Sequence, residues 1–227
     1  MTNAPRLTVA TVSFAMRPVS FRLPFHFGNT VVTHTDQGFV SLTITVDGKP
    51  TEGRAAQLLV PRWFDKRPDR SNDQTVADLR LSLELACKAA QAIDRATIAE
   101  ATAQLRATVE AEMPDGTPRL ATHFGPALVE MALIDALCMA TGLNFPQAAR
   151  HDLFGVATMQ APDMPPEAIA AALSGITPLP AIAPRQTVGF DAPLRKPRSA
   201  ASHRLTACPL ALRRSSGQPA SAPSRSS

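Results

Sequence analysis

Hydrophobic and polar positions alternate most clearly over Phe39–Val46, where Val40, Leu42, Ile44 and Val46 fall on one side and Ser41, Thr43 and Thr45 on the other. Period-two alternation of this kind predicts a half-buried β-strand. Leu7 to Met16 is rich in Val, Thr and Phe, and Val19 to Phe27 continues in β-prone residues. Asp47-Gly48 is a hairpin signal after Val46, so a short strand over about Thr51 to Ala55 is expected to return beside it. The period then changes to helical. Ser71 with Gln74 and Thr97 with Glu100 are capping boxes, in which side chains and backbone N–H groups bond reciprocally. They open one helix with Leu79, Leu83, Ala86 and Ala90 on its inner stripe, and a second to about Glu112 with Ile98, Ala101, Leu105 and Val109 inward. Met113–Pro118 reads as a turn. A third helix runs from Gly125 to Gly142, with Pro126 expected at its first position, and is apolar almost all round, which predicts burial on most sides. Short helices are expected over Pro146–Leu153 and Pro165–Leu173, and a single strand over Gln186 to Phe190.

The implied fold class is α+β: a three-stranded antiparallel meander whose apolar face is covered by a bundle of three or four helices. Residues 1–155 form the compact domain, 156–194 a Pro/Ala/Met-rich connection, and 195–227 a low-complexity Arg/Ser/Pro/Ala tail expected to be disordered.

Charge sharpens that division. Residues 184–227 carry eight basic side chains against Asp191 alone, whereas residues 1–183 carry 15 basic and 18 acidic. The basic character therefore belongs to the tail, which can attract nucleic acid or acidic membrane non-specifically, and no specific nucleic-acid partner is expected. The three cysteines, Cys87, Cys138 and Cys208, have no ligand spacing. No secretory signal is evident at the N-terminus and no run of about 18 apolar residues occurs, so a cytoplasmic location without a membrane partner is expected.

Phosphate-loop, dinucleotide, zinc-protease and nucleophile-elbow motifs are absent. The five histidines are scattered. Glu130 and Asp135 are the most buried-looking carboxylates; five positions apart on a helix, they point roughly 140° apart and suit anchoring rather than paired acid–base work. Two loops stand out. Leu23–Thr30 places His26, Phe27 and Asn29 about a glycine, and Gln57–Lys66 holds Gln57 and the single tryptophan, Trp63. Aromatic, amide and imidazole groups on loops beside a sheet suit ligand contact. Equally, Trp63 and Phe64 can simply cover the sheet edge.

The run FRLPFHFGNTVVTHTDQGFVSLTITVDGKPTEGRAA, then LLVPRWFDKRP, then ALVEMALIDALCMATGLNFPQAARHDLFG resembles the N-terminal capping domain of the enolase superfamily, in its mandelate racemase/muconate lactonizing branch. Val129–Leu137 resembles the branch's E-x-A-L-x-D-A-L helix. Gly142–Pro146 is similar to its G-x-P turn but two residues longer. The resemblance covers residues 7–155 and implies that His26–Thr30 and Gln57–Lys66 are the two lid loops that select substrate. It also implies that complete relatives bind Mg²⁺ in a C-terminal barrel and abstract a proton α to the carboxylate of a small substrate, in racemase, dehydratase or cycloisomerase chemistry. Gln186 to Phe190 is where a first barrel strand is expected. No Lys-x-Lys base motif occurs, and one acidic residue follows Glu167. The expectation is therefore a truncated, inactive relative with no metal or catalytic residue of its own, the tail arising by a frameshift near Leu194. The alternative is a stand-alone ligand-binding or oligomerisation module, with the apolar third helix favouring self-association.

Overall fold

The computed structural model describes residues 4–28, 30–158 and 164–184. The expected strand at 186–190, the tail at 195–227, Cys208 and the candidate residue Asn29 lie outside them. The chain divides into two compact units: a body that includes Val32–Ala183, and a smaller unit that includes the hairpin tip Phe25–Val31.

Three strands, β1 (Thr8–Phe27), β2 (Thr30–Val46) and β3 (Lys49–Leu58), form an antiparallel meander in the order β1-β2-β3. The fold is α+β, as the sequence implies. Val40, Leu42, Ile44 and Val46 all face the core, and each is nearly inaccessible to solvent. Register is pinned at the turn by Val46 opposite Lys49, with Asp47 and Gly48 both at positive φ, the pairing that a two-residue hairpin demands. β1 runs to Phe27, the end of the β-prone stretch, so His26 and Phe27 sit on strand and not on the loop Leu23–Thr30, because Pro24 is tolerated on an edge strand. β3 likewise extends to Leu58, which puts Gln57 on a strand opposite Gly38 rather than on a loop.

Helices α1 (Asn72–Ala90), α2 (Ile98–Glu112) and α4 (Phe124–Thr141) cover the inner face. Both expected capping boxes form, Ser71 with Gln74 and Thr97 with Glu100. A third, Asn144 with Gln147, opens α5 (Phe145–Arg150). The single turn α3 (Arg119–Thr122) precedes α4, whose helical residues begin at Phe124, so Pro126 is its third residue and not its first. Helix α6 (Pro166–Ser174) closes the described body.

Helix α4 corrects a second expectation. It is not buried on most sides: Leu128, Val129, Ala132, Leu133, Ala136 and Leu137 face the core, but Met131 and Met139 are at least half exposed. The helix presses on β3 so closely that a Cβ on Gly53 would meet the α4 backbone, and Asp135 accepts the outward N–H of Arg54 at 2.9 Å. Glu130 and Asp135 are thus anchors as read, Glu130 through Arg106 at 3.7 Å, but neither is the most buried carboxylate. Among the described residues that place belongs to Asp65, 1% exposed, followed by Asp78.

The stretch Arg119–Thr141 is long and apolar enough, by length and composition, to cross a membrane; half of its apolar window is buried inside the fold, as in a core helix.

Candidate functional site

The segment from Leu59 to Ser71 leaves β3 and returns to α1, and hydrogen bonds tie it both to itself and to β2, α1 and Gly116. Leu59 is fully buried, its N–H given to the Asp36 carbonyl at 2.8 Å and its carbonyl taken by Thr35 Oγ1 at 2.5 Å. Arg62 adopts the left-handed region at φ 61°, unfavourable for a residue with a Cβ and held here by surrounding bonds. Its N–H reaches Thr75 Oγ1 at 3.2 Å, and its guanidinium donates to the carbonyls of Arg67, at 2.8 Å, and Arg70.

Asp65 lies at the centre. It accepts the Arg67 N–H at 3.0 Å, an Asx turn, and a forked pair from the Arg67 guanidinium, Nη2 at 2.7 Å and Nε at 3.0 Å. Arg67 also reaches Asp78 at 3.2 Å and the Gly116 carbonyl at 3.0 Å, and Arg70 holds both oxygens of Asp78 at 2.7 and 2.8 Å. Burial works to raise the Asp65 carboxyl. The Arg67 side-chain and backbone donors, with the charges of Arg67 and Arg70, outweigh it and hold Asp65 below the ordinary carboxylate range. A depressed folded value stabilises the protein at pH above the unfolded value, near 3.9, and that contribution is lost as pH falls through the folded value. Acid titration followed by circular dichroism is therefore expected to show unfolding below about pH 4, with a shallower dependence in Asp65→Asn.

The same loop sends its two aromatics opposite ways. Phe64 packs edge-on against Phe124 at 5.1 Å between ring centres, while Trp63 stands 52% exposed. Of the residues singled out in the sequence, Trp63 is thus displayed and Gln57 is exposed on β3. His26 and Phe27 are half-buried on the hairpin-tip unit, where the rings of Phe25 and Phe27 lie 5.6 Å apart. Asp65 and Asp78 were missed. The local signal for Asp65 was its spacing to Arg67, which fits an Asx turn.

Reactive chemistry is sparse. Burial pushes the Cys87 thiol up to about 12, and burial with the nearby Asp135 raises that of Cys138, so both stay protonated at neutral pH. His123 is paired with Glu110 at 2.7 Å. Among the described residues no three His, Cys, Asp or Glu side chains group as metal ligands. Asp65 and Asp78 do not fit Mg²⁺ either, since their oxygens are already held by Arg67 and Arg70. A separate, largely apolar groove of about 920 Å³ lies between β3 and the end of α4, lined by Ala55, Met131, Ile134, Cys138, Met139 and Phe145 among others.

No protein-family model matches the chain, and no curated protein does. Solved structures similar to it are mandelate racemase/muconate lactonizing enzyme-like proteins. One from Rubrobacter xylanophilus is 17% identical over 63% of this chain, with a TM-score of 0.43. A second, from Roseovarius nubinhibens, is 16% identical over 63%, at 0.41. An enolase from Bradyrhizobium, in complex with magnesium and mandelic acid, is 13% identical over 60%, at 0.38. The chain spans about a third of the length of each, 33%, 34% and 33% respectively.

Proposed function

We propose that residues 7–155 act as a capping domain of the mandelate racemase/muconate lactonizing type, a recognition element for a small carboxylate. The observation that carries this reading is the Leu59–Ser71 loop: five charged side chains lock it, yet it turns Trp63 outward. A loop held rigid while displaying one large aromatic loses little entropy on binding, which suits selection of a ligand. Gln57 on the adjoining strand supplies an amide. In this reading His26, Phe27 and Asn29 are the second recognition segment, as the sequence resemblance implies.

Chemistry is assigned to complete relatives: proton abstraction α to a carboxylate, with Mg²⁺ as cofactor, in isomerase or lyase reactions. The 227 residues here contribute recognition and no turnover, in a cytoplasmic setting. Supporting this are the engaged oxygens of Asp65 and Asp78 and the single acidic residue after Glu167.

The test uses the whole chain. Titration with small 2-hydroxycarboxylates is expected to quench or shift Trp63 fluorescence, and its absence across the series removes the recognition reading. Incubation with Mg²⁺ and the same acids in D₂O is expected to leave the α-proton in place by NMR. Exchange at that carbon refutes the assignment of chemistry elsewhere. A second reading, an oligomerisation module, is favoured by the open groove beside Met131 and Met139.

A further inference from the structure

The two edges of the sheet are treated differently. On β3 the outward N–H of Arg54 is closed by Asp135, and α4 lies against the strand. On β1 the bonds among the described residues cover only the beginning: Leu7 exchanges both backbone bonds with Ala96, at 2.8 and 3.0 Å, and Val9 donates to Ile93 at 3.0 Å.

Beyond Val9 the direction of the free groups follows from which side chains face the core. Leu7 and Val9 face inward and send their N–H groups away from β2. The next side chains packed against the core are Val12 and Met16. The change from odd to even positions places a bulge at Ala10–Thr11, both exposed. For L-residues in a strand of fixed direction, the face a side chain takes also fixes the edge its N–H takes. Val12, Phe14 and Met16 therefore direct N–H and C=O to the open edge. Ser13 and Arg17 confirm the alternation: Ser13 Oγ donates to the Ser41 carbonyl at 3.4 Å, and the Arg17 guanidinium lies 5.3 Å from the Phe39 ring centre, both on the outer face. The next position in the inward series is Pro18, which has no N–H to offer, as edge strands commonly arrange.

The exposed window is thus three residues of outward donors, bounded by a closed bridge on one side and a proline on the other. The run Thr8–Met16 has no charge, proline or glycine, and is rich in Val, Thr and Phe, the composition that pairs readily with other strands. Phe14, at the centre of the window Val12–Met16, is 39% exposed.

We propose that this window pairs with the same window of a second copy, antiparallel about a two-fold axis through Phe14. Phe14 then exchanges two bonds with its counterpart, and Val12 and Met16 exchange two with Met16 and Val12 of the other copy, six in all. Arg17 falls opposite Thr11, so no like charges meet. The pairing is isologous, so it closes on itself as a dimer with a continuous six-stranded sheet, while Asp135 holds the Arg54 N–H at the far edge. This inference stands apart from the carboxylate reading and does not depend on it.

Sedimentation equilibrium of the full chain over a range of concentrations tests it, against a monomer of 24.1 kDa. The expected species is a dimer of twice that mass. Phe14→Pro, which removes an outward donor together with the ring, and Phe14→Lys are expected to weaken dimerisation at least tenfold with unchanged far-ultraviolet dichroism. Met131→Asp with Met139→Asp is expected to leave it intact. A monomer at every concentration, a dimer undiminished by both Phe14 changes, or a species larger than two overturns the proposal. If both Phe14 variants fail to fold, amide exchange on the unaltered chain decides. Protection of Val12, Phe14 and Met16 that appears only on concentration supports the pairing, and its absence removes it.

Discussion

Replacing Gly53 by alanine is expected to cost about 4 kcal/mol or more, a large share of the roughly 5–15 kcal/mol that holds a domain folded. The added Cβ would lie 2.5 Å from the Ala136 nitrogen and 2.6 Å from its Cβ, and against the Ala132 carbonyl oxygen as well. Overpacking usually costs about 1–3 kcal/mol because side chains can move aside. Here the obstacle is the backbone of α4, and retreating costs its contacts with the whole inner face of the sheet. Gly116→Ala is the control: it has open space around its Cβ but φ +77°, so only the strain of a left-handed alanine, about 1–2 kcal/mol, applies. Urea unfolding of the two variants should rank them in that order. An alanine tolerated better at position 53 than at 116 contradicts the close approach of helix to strand.

Asp65→Ala is the second large effect, expected at about 3–5 kcal/mol, because removing one partner of a buried pair strands the other. The side chain of Asp65 has no solvent exposure, and that of Arg67 is 29% exposed. Without the carboxylate, Arg67 keeps only Asp78 and the Gly116 carbonyl, and the Asx turn that shapes the loop is lost. Thermal unfolding reads the stability. Trp63 fluorescence reads the loop, and faster quenching by acrylamide is expected at temperatures where the helices remain intact. A double-mutant cycle with Arg67→Ala should return a coupling above about 1 kcal/mol; additivity would mean that the pair is not what orders the segment.

These two residues mark where reading the chain stopped. The alternation of Val40 to Val46 and the boxes at Ser71 and Thr97 were legible because each depends on neighbours a few positions away. The Gly53 contact and the Arg54–Asp135 bond join groups about 80 positions apart, and no local pattern encodes them. Asp65 looked like one charge among many in a polar loop, since its burial depends on Arg67 and Asp78 arriving together. Trp63 and Phe64 show the same limit at closer range. Display and packing are both open to the pair in the sequence; Phe64 packs on Phe124, and Trp63 is half exposed. His26 and Gln57 belong to segments whose aromatic, amide and imidazole groups suit loops. Hydrogen bonding along the sheet carried the strands as far as Phe27 and Leu58.

The Arg54–Asp135 bond also has a meaning in time. A ribosome adding about 5–20 residues per second releases β3 some 4–16 s before the 81 further residues that bring Asp135 have been made. Throughout that interval the Arg54 N–H at the edge of the nascent meander lacks the carboxylate that holds it in the finished fold. The order of synthesis therefore sets a brief period in which strand exchange between neighbouring chains on one message is easiest, and the arrival of α4 ends it.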